Sequence, residues 1–217
     1  MVQAITLAHL EAAVALSDTR RALHAVAELL LAGPQYAAHT KIRLRVAPNG
    51  FATVLSPDVS VEGTAIVSGA ARAEIDGSSA AELAARLGLT ARPLQDVFQG
   101  GIGVGVDEPL TADPESAAVI AAAFAAGETA LRTIAPDEEP VLWPEHFDLG
   151  STVDEVNYGV SSGDGYLDEP YAYVGPWASQ TGAFWNAPFG AARPLGPSPD
   201  PATIVAFFEE GRAAVGR

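Results

Sequence analysis

The stretch from Val141 to Trp177, VLWPEHFDLGSTVDEVNYGVSSGDGYLDEPYAYVGPW, constrains the fold of this chain more than any other. Apolar and polar residues alternate through much of it, and turn formers interrupt it at short intervals. A helix needs an apolar stripe at a period near 3.6, which this pattern does not supply. The alternation predicts strands over 141–149, 152–160 and 170–176, with SSGDGYLDE as a turn-rich loop before the last. The same region concentrates the aromatic residues: ten of the chain's sixteen fall between Trp143 and Phe189.

Upstream the pattern changes twice. Residues 3–32 read as one bent helix or two, with apolar stripes Leu7–Leu10–Val14 and Leu23–Val26–Leu30, stopped by Gly33-Pro34. His39 to Ala47 then alternates as a half-buried strand. Pro48-Asn49-Gly50 turns it into a returning strand, making a hairpin over 39–55. Val59 to Val67 and Ala71 to Asp76 extend an antiparallel meander. Ser79 and Glu82 fit a capping box, opening a helix that closes at Gly88. Asp113-Pro114 and Asp200-Pro201 each place a capping carboxylate before a proline, opening helices over 114–134 and 201–214. The expected fold class is α+β, a largely antiparallel sheet with packed helices. We expect a single domain over 1–217. Pro136 to Pro140 (PDEEP) is a hinge between a helix–sheet–helix part, 1–135, and an aromatic-rich part, 141–217.

Composition limits the function classes. The formal net charge is −15, from 27 acidic and 12 basic residues. Such a surface repels phosphate backbones and anionic lipid, so neither nucleic acid nor membrane is an expected partner. Without cysteine, no disulfide, thiolate nucleophile or cysteine metal site can form. The first twenty residues lack the basic start of a signal peptide, and we read no apolar run as long enough to span a bilayer. The expectation is a soluble cytoplasmic protein of unspecified oligomeric state. GGIGVGVDEP lacks the GK[ST] of a phosphate-cradling loop and reads as a turn or strand. Lys41, Arg43 and Arg45 share one strand face, read as a solvated surface rather than an anion site.

The candidate site follows from where polar and aromatic residues gather. Glu145 and His146, with Asp148 beside them, lie in one turn or strand; Asp164, Asp168 and Glu169 lie on the following loop. His146, Asp168 and Glu145 are the candidate catalytic residues, since an imidazole near carboxylates can move protons or bind a metal. Trp143, Tyr171, Tyr173, Trp177, Trp185 and Asn186 are the candidate ligand-binding residues, offering aromatic faces and a polar anchor. No HExxH, paired-histidine or EF-hand spacing occurs, so no metal ligands are assigned and the cofactor is left open. There is no G-x-S-x-G serine elbow.

KIRLRVAP, WPEHFDL, DEPYAYVGPW, AFWNAPFGAARPL and DPATIVAFFEEG together resemble a bacterial family of uncharacterised proteins, a domain of unknown function. That resemblance implies an α+β fold rich in antiparallel sheet and supplies no activity. Two function classes lead: a protein that binds a small molecule in an aromatic–acidic pocket formed by 141–190, and a hydrolase or lyase using His146 with carboxylates, with or without a divalent metal; a purely structural or partner-binding module is the third. Titratable groups in hydrogen-bond reach at the pocket floor would favour catalysis. An apolar floor with a polar rim would favour binding.

Overall fold

The computed structural model describes residues 7–215. One ten-stranded sheet, antiparallel at every pairing, runs through it in the order β10-β9-β8-β7-β6-β1-β2-β3-β4-β5. The strands are β1 (Leu44–Ala47), β2 (Gly50–Thr53), β3 (Val59–Glu62), β4 (Ala65–Ser68), β5 (Ala71–Glu74), β6 (Val141–Trp143), β7 (Asp148–Val153), β8 (Val156–Ser161), β9 (Tyr171–Pro176) and β10 (Ala191–Pro194). The helices are α1 (Leu7–Val26), α2 (Gly33–His39), α3 (Ala80–Leu87), α4 (Pro114–Ile134) and α5 (Pro201–Ala214). The fold is α+β, as the alternating strands and periodic helices require.

The two halves of the chain join through β1 and β6, where Leu44 pairs with Leu142. Helix α4 crosses the seam and packs on β1, β2, β7 and β8. One buried cluster therefore includes Phe51 and Ile66 from the first half and Leu149, Val160 and Val174 from the second. PDEEP is the short, largely exposed connection from α4 into β6, two elements that share this core. By length and composition α4 is apolar enough to cross a membrane, which the sequence reading overlooked. Half of its most apolar window is buried inside the protein, as a core helix requires.

Several elements depart from expectation for local reasons. The N-terminal helix does not stop at Gly33-Pro34. It passes through a π-helical segment, Ala27–Ala32, into α2; Pro34 donates no N–H to the preceding turn, and the Leu29 carbonyl accepts from the Arg92 amide at 2.9 Å. The helix ends at Thr40, in the left-handed region, so β1 begins only at Leu44. The Leu7–Leu10–Val14 stripe lies on the exposed first half of α1, while the stripe from Leu23 onward is buried. Residues 59–67 are two strands, because the chain turns at Gly63-Thr64. Ile66 thereby pairs with Val61 and is buried, and Val67 is not. Residues 152–160 are likewise split by a two-residue turn at Asp154-Glu155, both at positive φ. The capping box at Ser79/Glu82 and the Asp113 and Asp200 caps form as expected.

Candidate functional site

Beyond the seam, the two faces of the sheet differ. On β7, β8 and β9, Leu149, Tyr158, Val160, Ala172 and Val174 are buried in the core. Period-two alternation sends their neighbours Asp148, Gly150, Asn157, Gly159, Ser161, Tyr171 and Tyr173 to the opposite face. Among the described residues, none from a helix lines that face around Asp148. Two adjoining concavities of about 470 and 550 Å³ open there, each within the range that holds a small ligand. His146, Asp148, Asn157 and Tyr173 line both. Trp143, Glu138, Glu139 and Glu145 belong to the first; Tyr171, Asp164, Trp177 and Phe189 belong to the second.

The floor is a tyrosine–aspartate pair. Gly150 and Gly159 face each other across β7 and β8, and Gly159 faces Tyr173 across β8 and β9. A Cβ at either glycine would run into the Tyr173 ring or hydroxyl. The two missing side chains let that ring lie flat across β8, and its hydroxyl donates to Asp148 Oδ2. Asp148 Oδ1 is closed to solvent and has no hydrogen-bond partner among the described residues. Burial pushes the Asp148 carboxyl above the usual carboxylate range, against the pull of the Tyr173 hydrogen bond. Burial and the neighbouring Asp148 push the Tyr173 hydroxyl well above its ordinary value.

The walls are fixed by further polar contacts. Asp164 Oδ2 accepts from the Tyr171 hydroxyl at 2.6 Å, while Oδ1 accepts from the amides of Tyr166 and Leu167 at 2.8 and 3.2 Å. One carboxylate thus orders the loop before β9 and anchors Tyr171 to it. Asn157 Oδ1 accepts from Thr152 Oγ1 at 2.8 Å and Trp177 Nε1 at 3.3 Å. Trp177 is held at its nitrogen yet is 66% exposed, so its ring is free for contact. Tyr166, Tyr171 and Tyr173 surround Phe189 at centroid distances of 5.2–6.5 Å.

His146 stands on a turn, Pro144–Phe147, that breaks the expected 141–149 strand in its middle and leaves its ends in β6 and β7. Phe147 explains the break: it adopts a positive φ of 52° and turns its ring into the core, against His24, Phe51 and Phe124. His146 is exposed on the rim, with Nε2 3.3 Å from Glu145 Oε1. It shares the second concavity with Asp164, Tyr171 and Trp177.

Three expected site residues lie elsewhere. Asp168 is exposed, its carbonyl accepts from Arg20, and it lines neither concavity. The loop turns back at Asp164, so Asp148 and Asp164 supply the carboxylates. Trp185 packs edge-on against Phe184 at 4.9 Å, beside the core. The Asn186 side chain clips both backbone groups of Ala192 and is a loop staple. Lys41, Arg43 and Arg45 are exposed and line neither concavity. Gly150 and Gly159 escaped sequence reasoning, although GxxxxxxxxG spacing across a hairpin is visible once its turn is located. Among the described residues no group of three or more His, Asp or Glu is placed to hold a metal ion.

The turn also has a titratable support. His24 is buried, stacks on Phe147 and donates from Nε2 to the Pro144 carbonyl at 2.7 Å. Burial lowers its pKa from 6.5 to about 4. Between those values the unfolded chain binds a proton that the folded protein refuses. The contribution is therefore complete above pH 6.5 and shrinks as pH falls towards 4, by roughly 3 kcal/mol in all. Chemical denaturation of wild type and His24→Gln from pH 7 to 4 should show a pH-dependent stability difference; parallel curves would remove His24 as the cause.

The chain matches no family model, no curated protein and no solved structure, so the site stands on its own geometry.

Proposed function

We propose that the protein binds a small molecule on the open face of β6–β9, in the paired concavities around Asp148 and Tyr173. The single observation carrying this reading is the floor itself. Two facing glycines clear space for a tyrosine ring, and that ring and its aspartate partner lie between two aromatic walls open to solvent. A face needed only for solubility has no use for a buried carboxylate, which costs stability. Binding sites accept such costs when a ligand supplies the missing partner.

Trp143 and Trp177 line the walls and Trp185 does not, so ligand binding reads out through tryptophan fluorescence. A library of sugars, amines, carboxylates and nucleosides should yield a saturable signal, reduced in Trp177→Phe, with affinity weakened about tenfold in Tyr173→Phe. The same protein purified from its own host should carry a retained molecule in native mass spectrometry. Silence in both measurements would end the binding reading.

A second reading has one observation in its favour. The floor holds two titratable groups in hydrogen-bond contact, and a carboxyl with a raised pKa is what general acid catalysis uses. In that case the protein is a hydrolase or lyase with Asp148, in place of Asp168, beside His146 and Glu145. His146 is not hydrogen-bonded to Asp148 or Tyr173, so no relay joins the rim to the floor, and binding ranks first. Turnover of a bound molecule that is abolished in Asp148→Asn, with binding retained, would reverse that order.

A further inference from the structure

We infer that the ligand of this site is a small organic cation, an ammonium or alkylammonium group seated against Asp148 between the aromatic walls. The inference rests on the binding reading above and names the chemical class of its ligand.

The charges lining the two concavities are Glu138, Glu139, Glu145, Asp148 and Asp164, with His146 on the rim; among the described residues no lysine or arginine lines either one. Charged lining alone would be an acidic patch. The second observation is Asp148 Oδ1, which is shut off from solvent and without a partner on the floor that the two concavities share. Its sister oxygen is used by Tyr173. A buried acceptor without a donor is costly. A ligand bearing positive charge, with an N–H where it carries one, would answer this carboxyl; the charges acting on it from the protein are those of His146 and Glu145. Neither Glu138 nor Glu139 forms an ion pair among the described residues, so the rim holds uncompensated negative charge. An anionic ligand meets repulsion from every side.

The walls add a preference that a metal ion would not exploit. Trp143, Tyr171, Tyr173, Trp177 and Phe189 bring aromatic rings to the cavities. A cation over a ring face is attracted by its quadrupole, most strongly over tryptophan. Trp177 is tethered through its indole nitrogen to Asn157, so its ring needs little ordering on binding. The overall charge of −15 draws cations toward the molecule at low ionic strength.

The test uses matched pairs on the intact protein. Calorimetric titration compares choline with its neutral carbon analogue 3,3-dimethylbutan-1-ol, and 1,4-diaminobutane with butane-1,4-diol. At least one cation should bind about tenfold or more tighter than its neutral partner. Asp148→Asn should erase that ratio, and raised salt should shrink it. If Asp148→Asn fails to fold, the exposed Trp177→Leu serves instead and should cut the choline ratio about threefold or more. Equal affinities within each pair, or a ratio unchanged by either variant, overturn the inference. If neither cation binds while the fluorescence library yields a neutral ligand at Tyr173, the cation assignment falls and the binding site stands. If the library is silent too, both fall.

Discussion

Phe147→Ala is expected to remove about 3–5 kcal/mol of folding stability, the range for deleting a buried phenylalanine ring. On a chain of this length that corresponds to a melting temperature lower by roughly 6–20 °C. Phe147 is fully buried and holds three rings around its own: Phe51 and Phe124 edge-on at 5.3 Å, and His24 stacked at 5.4 Å. These rings come from β2, α4 and α1, so the cavity left by alanine borders three elements at once and cannot collapse by moving one of them. The residue also sits at φ 52°, a left-handed conformation that costs a non-glycine residue about 1–2 kcal/mol. That conformation persists because the ring drags the backbone inward; its amide still donates to the Trp143 carbonyl at 2.8 Å. Alanine keeps the strain and loses what offsets it. The turn that carries Glu145 and His146 should loosen as well, so rim contacts fail before the sheet melts. A loss below about 1 kcal/mol in denaturant titration would show that Phe147 is not the plug of this turn.

Particular residues show why the fold was more legible in the sequence than the site. Caps are local: Ser79, Asp113 and Asp200 announce helix starts through side chains that bond amides two or three residues on. Strand alternation is also local, and it identified β1, β3 and β9 as strands. Two-residue turns are harder. Asp154-Glu155 has no glycine, yet both residues adopt positive φ because the β7–β8 ladder closes on either side of them. Missing that turn displaced the register of a whole strand and hid the Gly150–Gly159 pair.

The site was legible as a region and not as a set of partners. Glu145, His146, Tyr171, Tyr173, Trp143 and Trp177 do line the concavities. Which acid meets which tyrosine depends on sheet register, which spacing does not supply. Asp148 reaches Tyr173 across an intervening strand, and Asp164 reaches Tyr171 because the loop folds back on its own amides. Asp168, four residues further along the same loop, is turned toward Arg20 instead. Asn186 and Trp185 looked like ligand contacts by residue type, but the late strand β10 uses the first as a staple and the core takes the second.

Gly159→Ala should produce the largest effect at the site itself. Its Cβ would overlap both the Tyr173 ring and the Leu149 carbonyl, so one of the two neighbouring strands must shift. Overpacking of this kind costs about 1–3 kcal/mol, and the backbone contact places this variant toward the upper end. The displaced ring should lose Asp148, leaving the carboxylate with neither oxygen bonded. Ligand binding should fall at least as far as in Tyr173→Phe. Gly150→Ala separates the ring from the backbone. There the added Cβ would lie 2.9 Å from the Tyr173 hydroxyl and 3.3 Å from the Tyr158 carbonyl, so the hydroxyl is the main obstacle. Combining Gly150→Ala with Tyr173→Phe should therefore cost less than the sum of the single changes, by about 0.5–3 kcal/mol. Gly159→Ala should gain much less from the same partner, because phenylalanine keeps the ring and no side-chain change moves the Leu149 carbonyl. Strict additivity in the Gly150 cycle would mean that Tyr173 does not lie over β7, and the floor would have to be rebuilt without it.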